Sequence, residues 1–398
     1  MPGFAPNNVK QPDSPEQLKV VRVVTAGFVV SWHMHNTLTR MADDFDVTVI
    51  GENVSYLAGN YPKVRFVNIN IQRKNSLGAD FGALIGLVSS LRTLKPDVVH
   101  SIMPKAGLLA AVASFICRVP VRMHTFTGQT WVGRKGFARL IYWLVDWLVN
   151  TLNTRCMTDS PSQSRFLAQH GIHAKGLPLA VLSHGSLCGV DLNRFDAAKY
   201  RLAAEELKNR LGLDPSHFVY AYIARKTRDK GAWDMLEAFA IVSQKHKHAR
   251  LLFVGPDEDG DIVLLRQLRP EWFGAVLDIG PVDNHEVYLA ASDVMCMPSY
   301  REGFGSVVIE AAAMGRPTIG SHIPGLIDSV VDGRTGLLFD AGNVLAFSQG
   351  MLRLQSEPLL RKSLGAQAKQ RAEVYFSADV LYGALKSFYA TEFDRMKR

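Results

Sequence analysis

Cysteine is scarce in this chain of 398 residues, with only four. Cys117, Cys156, Cys188 and Cys296 lie far apart and form no C-x-x-C pair, so they read as reduced thiols of a cytosolic protein rather than a disulfide framework. Metal ligands are equally sparse. His33-Met34-His35 and His246-Lys247-His248 each lack a third ligand nearby, and no metal is expected. The fingerprint G-x-G-x-x-G is missing, which argues against a dinucleotide cofactor. No apolar run near the middle of the chain is long enough to span a bilayer; the densest, residues 140–149, is interrupted by Asp146. Residues 1–19 are rich in Pro, Asn, Gln and Asp and have no apolar core of the signal-peptide kind, so they read as a flexible leader. No fixed-period repeat, low-complexity tract or nucleic-acid-binding motif is present.

What remains is a globular composition, 47% hydrophobic and 21% charged, with material for two cores and a net charge of +8. The cations are scattered, which fits a phosphate-bearing substrate or an anionic membrane surface better than nucleic acid. Short β-branched runs alternate with helical segments from residue 20 onward. Residues 20–25 form the first such run, followed by Ala26-Gly27, the segment 28–33 and then a helix to about Asp44, which is a Rossmann-like opening. Charge and aromatics meet at residues 134–155, where Arg139, Trp143 and Trp147 share one helical face. That face suits either a core stripe or a membrane interface.

The most informative stretch is 298–317, PSYREGFGSVVIEAAAMGRP. An apolar strand precedes it, and Ser306 is placed to cap a helix that Gly315 and Pro317 end. Glycines allow a ligand close to the backbone, and a helix start offers N–H groups to an anion. Glu302 on the loop and Glu310 on the helix would bind hydroxyls on either side of that anion, as the ribose and sugar of a nucleotide sugar require.

Glu302-Gly303-Phe304-Gly305, the Glu310-Ala311 that follows, and Gly315-Arg316-Pro317 resemble the donor-site signature of the retaining glycosyltransferases of family 4. The resemblance covers residues 20 to 393 and is stronger in the second half. It implies an α/β protein of GT-B fold, two Rossmann-like domains facing across a cleft. Residues 20–195 would form the acceptor domain, 196–375 the nucleotide-sugar donor domain, and 376–398 a helix crossing back to the first. Arg225 and Lys230 fall on the family's arginine and lysine in a strand-to-helix loop, where they bracket a diphosphate; Ala224 replaces the glycine before them. Lys226 and Arg228 read as surface charges.

The same resemblance implies donor contacts from Gly27, Val282, Gly303, Phe304, Gly305, Ser306 and Glu310. It also places His124 at a strand end facing the donor sugar. Gly27 is equally consistent with a plain tight turn. The segment Pro104-Lys105-Ala106-Gly107 is similar to transferases that extend lipid-linked glycans, so Lys105 either meets an acceptor phosphate or is a solvated first-turn lysine. Cys188 stands where many relatives have asparagine before the Gly-Val-Asp exit from the first domain.

The expected activity is metal-independent transfer, with retention, of a sugar such as an N-acetylhexosamine from a UDP-sugar. The acceptor would be a lipid-linked or soluble glycan, handled in the cytoplasm or at the inner face of the membrane. Catalysis would fall to His124, Arg225, Lys230 and Glu302. Two other readings stay open: a sugar-nucleotide 2-epimerase of the same architecture, and a non-enzymatic scaffold on a membrane surface.

Overall fold

The computed structural model describes residues 17–72 and 76–397. Most of the leader expected over residues 1–19 lies outside them, and Lys19 already opens the first strand. Two parallel sheets form the frame. The first contains β1 (Lys19–Ala26), β2 (Asp46–Glu52), β3 (Arg65–Asn68), β4 (Val98–Ile102), β5 (Val121–Phe126), β6 (Arg155–Thr158) and β7 (Ala180–Val181), in the order β3-β2-β1-β4-β5-β6-β7. The second contains β8 (Phe218–Ile223), β9 (Ala249–Val254), β10 (Val276–Ile279), β11 (Val294–Met297), β12 (Thr318–Ser321) and β13 (Gly336–Phe339), in the order β10-β9-β8-β11-β12-β13. In each sheet the order reverses beside the first strand, between β1 and β4 and between β8 and β11. Ligands bind beyond the carboxyl ends of strands at such a reversal.

The inner strands β1 and β8 are buried on both faces, which is why they read as continuous apolar runs rather than as alternation. On β1, Val20 and Val24 join one core and Val21 and Val23 another. On β8, Val219 and Ala221 face one core and Tyr220 and Tyr222 the opposite one. The two halves are tied where the chain crosses between them: Val190 N donates to Phe376 O at 2.8 Å, and Ala378 N to Val190 O at 2.9 Å. The last helix, Ala378–Lys397, then packs Leu381, Leu385 and Tyr389 into the first sheet's core. Arg40 pairs with Asp379 at 2.7 Å and Lys386 with Asp44 at 2.7 Å, fastening it to the helix His35–Asp44.

Local outcomes differ from the sequence reading in three places that bear on the site. After β1 the chain turns directly into a helix at Gly27, which ends at His33; Met34, at φ −132°, breaks it before the helix His35–Asp44. β5 continues through Phe126, so His124 is two residues inside the strand. On the helix Gly136–Leu152 the stripe divides. Trp143 turns inward and donates to His170 O at 2.9 Å, whereas Trp147 is 43% exposed.

Candidate active site

β8 ends at Ile223, and the loop that follows carries Arg225 and Lys230 to the edge of the second sheet. Tyr222 holds this loop from below, its hydroxyl donating to Arg225 O at 2.8 Å. Gly231, at φ +68°, turns the chain into the helix Ala232–Lys245. A Cβ there would overlap Pro298 O, with Pro298 C at 2.6 Å. The loops after β8 and β11 therefore touch backbone to backbone, and Tyr300 N donates to Asp229 O at 2.9 Å.

This contact brings the predicted charges together. Lys230 Nζ lies 2.7 Å from Glu302 Oε1, which also accepts from Ser299 Oγ at 2.9 Å. Arg225 pairs with Glu258 at 2.9 Å and with Asp229 at 3.7 Å. Arg301, a cation that the loop motif did not single out, reaches Asp229 at 3.0 Å and also donates to Gly128 O, in the first domain, at 3.4 Å. Burial alone would raise the Asp229 carboxyl. The Thr227 hydroxyl and the charges of Arg225 and Arg301 outweigh it and hold the group below its ordinary range. Glu310 meets His285 Nε2 at 2.9 Å, and this contact raises the imidazole's pKa despite its burial.

The helix Ser306–Ala313 starts beside this cluster, but Ser306 is its first residue and not its cap. Gly305 holds the cap position at φ +85°, and no side chain bonds the helix start. Gly303 faces the first domain: a Cβ on it would overlap Asp159 Oδ2. Phe304, expected against the donor, is instead buried. Its ring meets Phe376 edge-on at 5.2 Å and fills the space left by Gly185. Val282 is half-buried against the second domain's core. Lys226 corrects the reading as a surface charge, being 3% exposed and paired with Asp278 at 2.6 Å, whereas Arg228 does lie at the surface, over the Trp233 ring.

The first domain departs further from expectation. His124 does not face the cleft. It is 2% exposed, Ser101 Oγ lies 2.9 Å from its Nδ1, and Gly107 covers the ring so closely that a Cβ would overlap it. Burial drives its pKa down to about 3, leaving a neutral core imidazole. The loop beyond the strand takes the position instead: Gly128 lies so close to Gly303 that a Cβ would sit 3.3 Å from Gly303 N. Lys105 is held by Asp80 at 2.7 Å on the helix Leu77–Leu94, not left as a solvated lysine. Gly27 is required by packing within its own domain, since a Cβ would come 2.6 Å from Asn53 O and from the Tyr56 ring.

The imidazole that does sense the second domain is His33, passed over in the sequence because it lacked metal partners. Burial first, then the charge of Lys230, lower its pKa to about 4, with Glu310 and Glu302 acting in the opposite direction. Three contacts fasten the domains around the donor loop. Gln163 Nε2 donates to Glu302 O at 2.6 Å, Ser162 N to Asp328 Oδ2 at 2.8 Å, and Gly325 N to Ser162 Oγ at 2.7 Å.

Two facing Rossmann-like sheets, with cations and a free helix start at the carboxyl edge of the second, define a glycosyltransferase of GT-B fold. The chain belongs to the glycosyl transferases of group 1. It matches that family over residues 203–371 and the glycosyl transferase 4-like domain over residues 30–183. It is 30% identical to the capsular polysaccharide biosynthesis glycosyltransferase CapM of Staphylococcus aureus over 329 residues, 81% of this chain and 84% of CapM. Among solved structures it shares its fold with Anabaena HepE in complex with UDP and glucose, at a TM-score of 0.79 and 18% identity, covering 94% of this chain and all of the other. Sucrose-phosphate synthase of Thermosynechococcus elongatus has the same fold at a TM-score of 0.77 and 19% identity, covering 95% of this chain and all of that one.

Proposed function

We propose that this glycosyltransferase moves a sugar from a UDP-sugar to a lipid-diphosphate-linked glycan during bacterial polysaccharide assembly, with retention at the anomeric carbon. The observation that carries the reading is the convergence of Arg225, Lys230 and Arg301 with Glu302 on two touching loops. Arg225, Lys230 and the N–H groups at Ser306 stabilise the charge that builds on the leaving diphosphate, supplying what a divalent metal supplies in other glycosyltransferase folds. Glu310 holds the ribose hydroxyls and Glu302 the sugar. The bond from the anomeric carbon to the diphosphate oxygen breaks as the acceptor oxygen bonds to the same face. The acceptor's proton passes to the leaving phosphate. The resemblance to CapM supports the polysaccharide setting, and HepE, solved with UDP and glucose, supports the nucleotide.

A thermal-shift panel of UDP-, GDP- and dTDP-sugars tests the donor. A UDP-sugar at a hundredfold excess over its Kd stabilises the protein by about 2.7 kcal/mol. Incubation of that donor with and without a lipid-linked acceptor then tests transfer. Isomerisation of the sugar without acceptor would replace the transferase reading by that of an epimerase.

The lipid-linked acceptor and a place on the inner face of the membrane draw support from one surface. On the helix Gly136–Leu152, Phe137 is 75% exposed, and Leu140, Ile141 and Leu144 share its outward side, with Arg134, Lys135 and Arg139 at the same end. The helix Leu77–Leu94 lies across the helix Pro104–Ile116 from it and exposes Leu77, Phe81 and Ile85. Apolar side chains ringed by cations bind anionic interfaces, at about 1 kcal/mol per cation. The expected result is that the protein sediments with phosphatidylglycerol vesicles and that Phe137→Ser with Leu140→Ser loses that binding at least tenfold. Equal sedimentation of the double variant would remove this surface from the proposal.

A further inference from the structure

Three buried polar side chains of the first domain lie at or beside its contact with the donor loop. Gln129 follows β5, Asp159 follows β6, and Gln163 lies in the first turn of the helix Pro161–Gln169. They are 3%, 3% and 4% exposed. Asp159 and Gln163 abut Glu302-Gly303 directly, and Gln129 follows a residue that does. The neighbour of Gln129, Gly128, packs on Gly303 N; the Asp159 carboxyl occupies the space where Gly303 lacks a side chain; Gln163 Nε2 donates to Glu302 O at 2.6 Å. Yet both amide atoms of Gln129, Oδ1 of Asp159 and Oε1 of Gln163 have no hydrogen-bond partner. A buried polar atom left unmatched bears its full desolvation penalty, and native proteins seldom leave several in one place without a ligand or water to meet them.

The chemistry of the unmatched atoms restricts that ligand. Gln129 offers a donor and an acceptor, and Gln163 an acceptor. Burial, with the charges of Glu302 and Asp328, pushes the Asp159 carboxyl well above the usual carboxylate range, which favours its protonated form, able to donate. Neutral groups that both donate and accept match hydroxyl and amide substituents and have no charge with which to hold a phosphate. Their place beside Glu302, whose carboxylate Lys230 holds, is the sugar side of the diphosphate cradle. We propose that Gln129, Asp159 and Gln163 hydrogen-bond the transferred sugar and determine which neutral hexose or N-acetylhexosamine the enzyme accepts. This rests on the donor reading above.

The test separates nucleotide from sugar. UDP, UDP-glucose, UDP-galactose and UDP-N-acetylglucosamine are titrated into the wild type and into Gln129→Leu, Gln163→Leu, Asp159→Asn and Asp159→Leu. UDP binds each variant within twofold of the wild type. The ratio of affinities between the best and worst UDP-sugar collapses at least tenfold in the leucine variants, since a site built to bond a hydroxyl discriminates through that bond. Asp159→Asn, which keeps a donor, retains most of the ranking. An unchanged ranking with intact UDP binding defeats this proposal alone, and equal weakening of UDP and every sugar assigns the three residues to packing. Failure of the wild type to bind any UDP ligand defeats the donor reading and this one with it. A crystal of the wild-type protein with its best UDP-sugar is independent of variant folding. Sugar oxygens or amide within hydrogen-bond distance of at least two of the three side chains support the proposal; ordered waters on those atoms, with the sugar elsewhere, overturn it.

Discussion

Lys230→Ala lowers kcat for sugar transfer by about 10²- to 10³-fold, the loss that follows removal of one preorganised charge-stabilising donor. The ammonium sits 2.7 Å from Glu302 Oε1 and 3.5 Å from Arg301 O, on a loop fixed by Tyr222 beneath it and by the Pro298 contact beside it. It is therefore positioned before substrate arrives, and preorganisation of this kind acts on the transition state more than on binding. On the proposed donor reading KM for the donor should rise less than kcat falls, because Arg225 would still hold the ground-state diphosphate.

The substitution has a second consequence that must be kept apart from the first. Glu302, its side chain 10% exposed, loses the only ion-pair partner it has among the described residues, and an unpaired carboxylate so placed is unfavourable. Lys230→Ala combined with Glu302→Gln relieves that strain, so the double variant recovers thermal stability without recovering rate. A Lys230→Ala enzyme within fivefold of wild-type kcat, or a double variant that regains rate along with stability, would remove Lys230 from the chemistry and leave it a structural tether.

Much of this arrangement was legible in the residues themselves. The β-branched run at β1 and the apolar, aromatic-rich run at β8 announce strands buried on both faces, because a parallel sheet covered by helices imposes no alternation. The loop from Arg225 to Lys230 and the unit 298–317 are local, so their strand, turn and helix signals survive in the linear order. The misreadings share a different cause. His124 was assigned to a strand end, but hydrogen bonding with β4 and β6 extends β5 through Phe126 and carries the imidazole inside. Phe304 lies between ligand-suited glycines, yet the core it enters is completed by Gly185 and Phe376, distant in sequence. Lys226 is a charge by composition and a buried ion pair only through Asp278 on β10. His33, Asp159 and Gln163 acquire meaning solely from the apposition of two domains, which no local spacing encodes. An orphaned amide such as Gln129 becomes visible only when burial is known.

Gly231→Ala is expected to be strongly destabilising for the addition of a single methyl near the site. Two penalties coincide. The residue sits at φ +68°, where a side chain adds strain, and its Cβ would overlap Pro298 O with Pro298 C only 2.6 Å away. Both obstacles are backbone atoms and cannot rotate aside. Left-handed strain and overpacking each amount to about 1–3 kcal/mol, so the loss should be about 2–6 kcal/mol. Gly333 separates the two contributions. It has nearly the same backbone angle, φ +69°, but nothing within 4 Å of its Cβ position, so Gly333→Ala reports the conformational part alone. Urea unfolding of both variants measures the difference, and Gly231→Ala should be lower by the overpacking part, about 1–3 kcal/mol. The remaining folded fraction should also be a poor enzyme, because relief of the clash requires the Lys230 loop to move away from the loop bearing Glu302. If the two alanine variants unfold within about 0.5 kcal/mol of each other, inside the usual uncertainty for surface changes, the two loops are not in register as described. The convergence of Arg225, Lys230 and Glu302 would then lose its structural basis.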